Sequence, residues 1–199
     1  MLYIATSNKS KFEKLESLIG QISPKIRVRG ILDKHIKEPI ENGRDEIENA
    51  TIKAKYYFSI LKGSVLVEDN GIYFNGLKLE QQPGWKFKDS ITSGMSVSGK
   101  VDYWAKFLEK NKIKMGYIRY VFVLAMNGEN FKEEVGVPFS VLTTRSKFSF
   151  GENILNNFVG PMGSKVPFTK MSRSELSNYR RTNILPTLVK LMRPHISDI

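Results

Sequence analysis

Over residues 1–74 the chain changes hydrophobic period four times, and few folds accept that order. Leu2 to Ala5 is a short apolar run of the kind a buried strand shows. Phe12, Leu15, Leu18 and Ile19 then share one helical face, which predicts a helix over residues 9–19 with Asn8 as its cap. Ile26 to Ile31 alternates apolar with basic residues, as a second strand does. Residues 32–43, with Pro39 and Gly43, read as a loop. Ile47, Ala50, Ala54, Phe58 and Leu61 return to helical spacing, so residues 45–62 read as a long amphipathic helix ended by Gly63. Ser64 to Glu68 reads as a strand, Asp69-Asn70-Gly71 as a turn, and Ile72 to Phe74 as extended chain again.

The second half is strand-rich. Residues 76–98, dense in Gly, Ser, Pro and Lys, read as an irregular loop, and Val101, Trp104, Ala105 and Leu108 predict a helix over 100–110. Tyr117 to Met126 reads as a long strand, Asn127-Gly128 as a hairpin turn, and Phe131 to Leu142 as the returning strand. Residues 149–170 are loop-rich. Ser172-Arg-Ser-Glu175 fits a capping box, and Asn183 to Met192 reads as a helix with Pro186 in its first turn. This order predicts an α/β fold: a mixed, strongly twisted central sheet with long antiparallel strands flanked by helices. At 199 residues, one domain over 1–199 or two lobes sharing a core is expected.

The chain has no cysteine and two histidines, His35 and His195. Disulfides, zinc-thiolate sites and cysteine nucleophiles are therefore excluded, and a site of several histidines is impossible. Chemistry falls to carboxylates, lysines, arginines and hydroxyls, and the ion that suits carboxylates is Mg²⁺ or Mn²⁺. The start lacks a signal-peptide pattern, and the longest clean apolar run, Val121 to Met126, is too short to span a bilayer. A cytoplasmic protein without membrane contact is the expectation. The net charge of +11 describes either a solvated lysine-rich surface or a field that draws polyanions.

Three segments carry chemistry. Thr6-Ser7-Asn8-Lys-Ser-Lys11 places a polar turn and a lysine where a helix begins, suited to a phosphate or simply to an Asn-capped surface helix. Val65-Leu-Val-Glu68-Asp69 ends an apolar strand in two adjacent carboxylates, which favour a divalent ion or a held proton; an acidic turn at the surface is the alternative. Glu41-Asn-Gly43 precedes a helix bearing Glu48-Asn49-Ala-Thr-Ile-Lys53-Ala. Glu41 and Glu68 are candidates for one ion. Lys53, three residues after Ala50 on the apolar stripe, either lies in protein with its head in a cleft or snorkels to solvent.

Together these segments resemble the inosine triphosphate pyrophosphatase or Ham1-like family of non-canonical purine NTP pyrophosphatases. Its T-G-N-x-x-K start, E-x-G…E-N-A-x-x-K-A segment and E-D-T or D-D-S-G strand end read here as Thr6-Ser-Asn8-Lys-Ser-Lys11, Glu41-Asn-Gly43 with Glu48 to Ala54, and Glu68-Asp69-Asn-Gly71. Pro83-Gly84 also matches. Further on, Ser149-Phe150-Gly151 resembles the family's G-F-G-Y-D-P, with Glu152-Asn-Ile in place of Tyr-Asp-Pro, and Tyr179-Arg180-Arg181 stands where S-H-R is usual.

The resemblance implies a two-lobed fold and Mg²⁺-dependent hydrolysis of ITP, XTP or dITP between the α- and β-phosphates. It assigns Glu41 and Glu68 to the metal (Mn²⁺ is possible) and Asp69 to the water, or to the metal as a further ligand. Ser7, Asn8, Lys11 and Lys53 would hold the phosphates, Phe150 would stack on the base and Arg181 would bond its carbonyl edge. A homodimer is implied, and Trp85 and Phe87 would serve that interface or line the cleft. Two other readings keep different substrates: a modified or canonical nucleotide on the same fold, or non-catalytic binding of a nucleotide or nucleic acid, which the charge favours and the carboxylate set opposes.

Overall fold

The computed structural model describes residues 1–32, 36–88, 94–142 and 154–199. Its strands are β1 (Leu2–Ile4), β2 (Val28–Gly30), β3 (Ser64–Phe74), β4 (Met115–Met126), β5 (Glu129–Val141) and β6 (Val159–Pro161). Its α-helices are α1 (Lys9–Ile22), α2 (Glu46–Leu61), α3 (Val97–Lys110), α4 (Arg173–Asn183) and α5 (Leu185–Met192). The sheet order is β2-β1-β3-β4-β5-β6. β1 pairs in parallel with β2 and β3, and β5 pairs antiparallel with β6. This is the mixed α/β sheet flanked by helices that the hydrophobic pattern predicts. No helix among the described residues is long and apolar enough to cross a membrane.

The chain divides into two compact units: Met1–Asn70 with Tyr120–Val135 and Arg180–Ile199, and Gly71–Arg119 with Gly136–Tyr179. In the first, Ala50, Ala54, Tyr57 and Leu61 of α2 lie on the odd-numbered residues Val65 and Val67 of β3 and Val121, Val123 and Ala125 of β4. Helical spacing meets strand alternation here, and each buried aliphatic chain contributes about 1.5–3 kcal/mol. Leu15, Leu18 and Ile19 are buried on α1, which contacts β1 and α5. In the second unit, Trp104 and Leu108 of α3 cluster with Ile72, Phe74, Phe139 and Phe158. Phe87, expected at an interface or cleft, is instead part of this core, stacked on Trp104 at 4.9 Å.

The one large departure from expectation is at Asp69-Asn70-Gly71, which does not turn. β3 runs unbroken through it for 11 residues. Val65, Leu66 and Val67 before it and Ile72 and Phe74 after it are buried, so sheet pairing and core packing on both sides override the turn preference of Asp-Asn-Gly. Elsewhere the differences are local. α1 continues one turn further, to Ile22, and α3 starts earlier, at Val97, capped by Ser96. α2 ends with Lys62, not Gly63, in the left-handed conformation, at φ 50°. The loop-rich region contains β6. The Asn127-Gly128 hairpin has positive φ at both residues, 51° and 81°, as a type I′ turn requires. The capping box stands: Glu175 N–H donates to Ser172 Oγ at 3.2 Å, and Ser172 N–H to Glu175 Oε2 at 2.7 Å.

Candidate active site

Glu41, Glu68, Asp69, Ser7, Asn8, Lys11, Lys53 and Arg181 belong to the first compact unit. At the start of α1, Asn8 N–H donates to Thr6 Oγ1 at 3.1 Å and Asn8 Oδ1 accepts from Lys11 N–H at 3.0 Å. The Thr-Ser-Asn turn thus pins the cap and sends Lys11 inward, with about a fifth of its side chain exposed. Ser7 is exposed beside it.

Because β3 is extended at Glu68 and Asp69, the two carboxylates point to opposite faces of the strand. Glu68 turns to α1. Its side chain is wholly buried, and Lys14 Nζ lies 2.7 Å from Oε1 and 2.6 Å from Oε2. Lys11 Nζ stands further off, 3.9 Å from Oε1 and 3.4 Å from the Glu68 carbonyl oxygen. Burial raises the pKa of Glu68, but Lys14 and Lys11 outweigh it and hold the carboxyl below its ordinary range. Burial lowers that of Lys14, whose attraction to Glu68 is opposed by the charges of Lys11 and Arg180. The Lys14 ammonium also sits 4.9 Å from the Tyr120 ring centroid.

Asp69 turns to α2. Lys53 Nζ donates to Asp69 Oδ2 at 3.1 Å and lies 2.8 Å from Glu41 Oε1, so one ammonium joins two carboxylates. Burial pulls the Lys53 pKa down; Asp69 and Glu41 more than offset this and hold it above the ordinary value.

Glu41 reaches Lys53 because its loop is anchored. Gly43 N–H donates to Asn49 Oδ1 at 2.8 Å, and a Cβ at Gly43 would stand 2.6 Å from that oxygen and 2.8 Å from the Asn49 nitrogen. Only glycine fits. Asp45 caps α2 by accepting from Ile47 and Glu48 N–H, both at 2.9 Å. The spacing of Glu41, Gly43, Asn49 and Lys53 is therefore a loop stapled to a helix one turn before its lysine.

The structure thus brings Glu41 together with Asp69, not with Glu68 as expected from the sequence. The physical reason is strand alternation, hidden when Asp69-Asn70-Gly71 is read as a turn. Among the described residues no three acidic or histidine side chains gather as a ready metal centre. Glu41 and Asp69 nonetheless fit a hard divalent cation. They are oxygen donors already converging on one cation, and both are open to solvent, by 36% and 11% of their side chains. Glu68 fits poorly, since both oxygens are in contact with Lys14 and its side chain has no exposed surface.

Arg181 is exposed on α4, and it is its neighbour Arg180 whose charge bears on Lys14. Phe150 lies outside the described residues. Sequence reasoning missed Lys14, although it sits next to Leu15 and one turn after Lys11, the same flank-of-stripe position that singled out Lys53. It also missed Asn49 as the loop anchor.

The class is therefore a mixed α/β sheet whose third strand carries one acid–lysine group toward α1 and another toward α2. Comparison gives the family. The Ham1 family model matches residues 2–149, and the chain belongs to the Ham1 family. A dITP/XTP pyrophosphatase of Dictyoglomus thermophilum is 30% identical over 80 residues, which is 40% of this chain; the match spans 39% of that relative's length. The Staphylococcus aureus Ham1 protein shares the fold, with TM-score 0.75 at 15% identity over 98% of this chain and 100% of its own. A nucleoside-triphosphatase / dITP/XTP pyrophosphatase of Mycobacterium abscessus gives TM-score 0.70 at 15% identity over 96% and 98%. A HAM1 protein of Coxiella burnetii gives 0.74 at 14% identity over 100% and 98%.

Proposed function

We propose that this chain is a Mg²⁺-dependent nucleoside-triphosphate diphosphatase that hydrolyses ITP, XTP and dITP to the monophosphate and pyrophosphate. The observation that carries the reading is Lys53 held between Glu41 and Asp69, on the same unit as Lys11 at the start of α1. The Dictyoglomus relative's name, dITP/XTP pyrophosphatase, supports the substrate class. Homodimerisation and a cytoplasmic location belong to the same reading, on the family resemblance and the absence of any membrane-length apolar helix among the described residues.

In this mechanism Lys11, Lys53, Asn8 and the backbone near Ser7 hold the phosphate chain by charge and hydrogen bonds. Glu41 and Asp69 would hold Mg²⁺ (or Mn²⁺), which supplies charge neutralisation at the phosphates. Asp69 orients the attacking water and accepts its proton. Water is added across the α–β anhydride, and pyrophosphate leaves. Lys53, released from its two carboxylates, turns its charge to the phosphates. Arg181 and Phe150 remain the proposed contacts for the base.

The test is pyrophosphate release with Mg²⁺ across ITP, XTP, dITP and the standard triphosphates. Wild-type protein turns over the deaminated nucleotides preferentially. Asp69→Asn and Glu41→Gln each lower turnover by about 10²–10⁴-fold, the scale of a lost acid–base or metal-holding group. Full activity in both variants overturns the assignment.

A further inference from the structure

We infer that Lys14 is a positioning residue for the phosphate site: it neutralises Glu68, so that Lys11 stays available to the polyphosphate and Glu68 stays out of the metal set. The inference rests on the diphosphatase reading only for the identity of the bound anion.

The geometry is a contest of two cations, Lys14 and Lys11, for one carboxylate. Lys14 donates a hydrogen bond to Glu68 Oε1 at 2.7 Å and its ammonium lies 2.6 Å from Oε2, which accepts no hydrogen bond, while Lys11 stands 3.9 Å from Oε1. Coulomb attraction falls with distance, and of the two ammoniums only Lys14 hydrogen-bonds the carboxylate itself, Lys11 reaching the Glu68 carbonyl oxygen instead, so Lys14 takes most of the carboxylate's charge. Lys14 is 8% exposed and Glu68 is sealed, so this pair cannot itself meet a ligand. Lys11, with 21% of its side chain exposed, is the member that can. Arg180, close enough for its charge to act on Lys14, adds to the positive surplus.

Two consequences follow. Without Lys14, Glu68 would draw Lys11 inward and cancel it. And for Glu68 to ligate a metal, Lys14 would have to leave a buried position beside the Tyr120 ring, with Lys11 and Arg180 repelling the incoming cation. Glu68 is thus the internal counter-ion of a cation cluster, on the opposite face of β3 from the Glu41–Asp69 pair.

Calorimetric binding of inorganic tripolyphosphate in EDTA tests this without any turnover. Lys14→Met binds about tenfold more weakly than wild type, the scale of one lost phosphate contact. Lys14→Arg binds as wild type does. The double variant Lys14→Met/Glu68→Gln returns to within about threefold of wild type, because Lys11 has no carboxylate left to fall on. Thermal melts check folding. If the single variant does not fold, the neutral double variant decides alone, and a loss of tenfold or more in it overturns the inference, as does unchanged binding in a folded Lys14→Met. Mn²⁺ binding to the nucleotide-free protein, read by electron paramagnetic resonance, gives a second arm. It survives in the double variant and is lost in Glu41→Gln; its loss in the double variant returns Glu68 to the metal site. If wild-type protein binds tripolyphosphate in this pattern yet releases no pyrophosphate from any triphosphate, the diphosphatase reading fails and the Lys14 inference stands.

Discussion

Replacing Lys53 with Met removes the cation that Glu41 and Asp69 share. At an effective dielectric constant near 20, charges about 3 Å apart attract by about 5 kcal/mol before solvation is counted. Most of that is cancelled by the cost of burying Lys53, and the Glu41 side chain is 36% exposed and screened. A net loss of about 2 kcal/mol remains, part of it the repulsion of two carboxylates left facing each other. For a chain of this size that lowers Tm by about 4–8 °C. A divalent cation placed between the same oxygens replaces the missing ammonium. Mg²⁺ at about 5 mM should therefore recover at least half of the lost Tm in Lys53→Met, and shift wild type much less. Differential scanning fluorimetry with and without Mg²⁺ reads both effects. If the variant melts within about 1 °C of wild type, or if Mg²⁺ raises both proteins equally, the two carboxylates are not a cation-binding pair and the reasoning is wrong.

Gly43→Ala puts a methyl group 2.6 Å from Asn49 Oδ1 and 2.8 Å from the Asn49 backbone nitrogen, so the loop must move and its hydrogen bond is lost. We expect a destabilisation of about 1–3 kcal/mol by chemical denaturation and at least tenfold lower turnover as Glu41 is displaced; wild-type behaviour would refute the anchoring role. The Glu68 pKa is depressed by Lys14 and Lys11, so its contribution to stability is complete above the ordinary glutamate pKa and is lost as pH falls through the lower folded value. Wild type should then lose Tm more steeply than Lys14→Met/Glu68→Gln from about pH 5 to about pH 3; parallel curves would contradict the pairing.

How far the chain could be read without coordinates differs from one segment to the next. The helical stripe of Ile47, Ala50, Ala54 and Leu61 had a single interpretation, and α2 lies within a residue of it at both ends. Asn8 was legible as a cap because its side-chain oxygen suits that position and apolar periodicity starts directly after it. Asp69-Asn70-Gly71 was misread because its composition speaks for a turn, while the strand is decided by neighbours remote in sequence. That error carried into the site, since a turn lets Glu68 and Asp69 share a cleft and a strand sends them apart.

Local chemistry by itself therefore determined which residue types were available: without cysteine and with two histidines, the chain leaves carboxylates and lysines as candidates, Glu41, Glu68, Asp69, Lys11 and Lys53 among them. Tertiary structure decided the partnerships. Which carboxylate meets which ammonium depends on the face of β3 that each presents and on the helix that covers that face. Both are consequences of sheet order and long-range packing, to which no window of neighbouring residues has access.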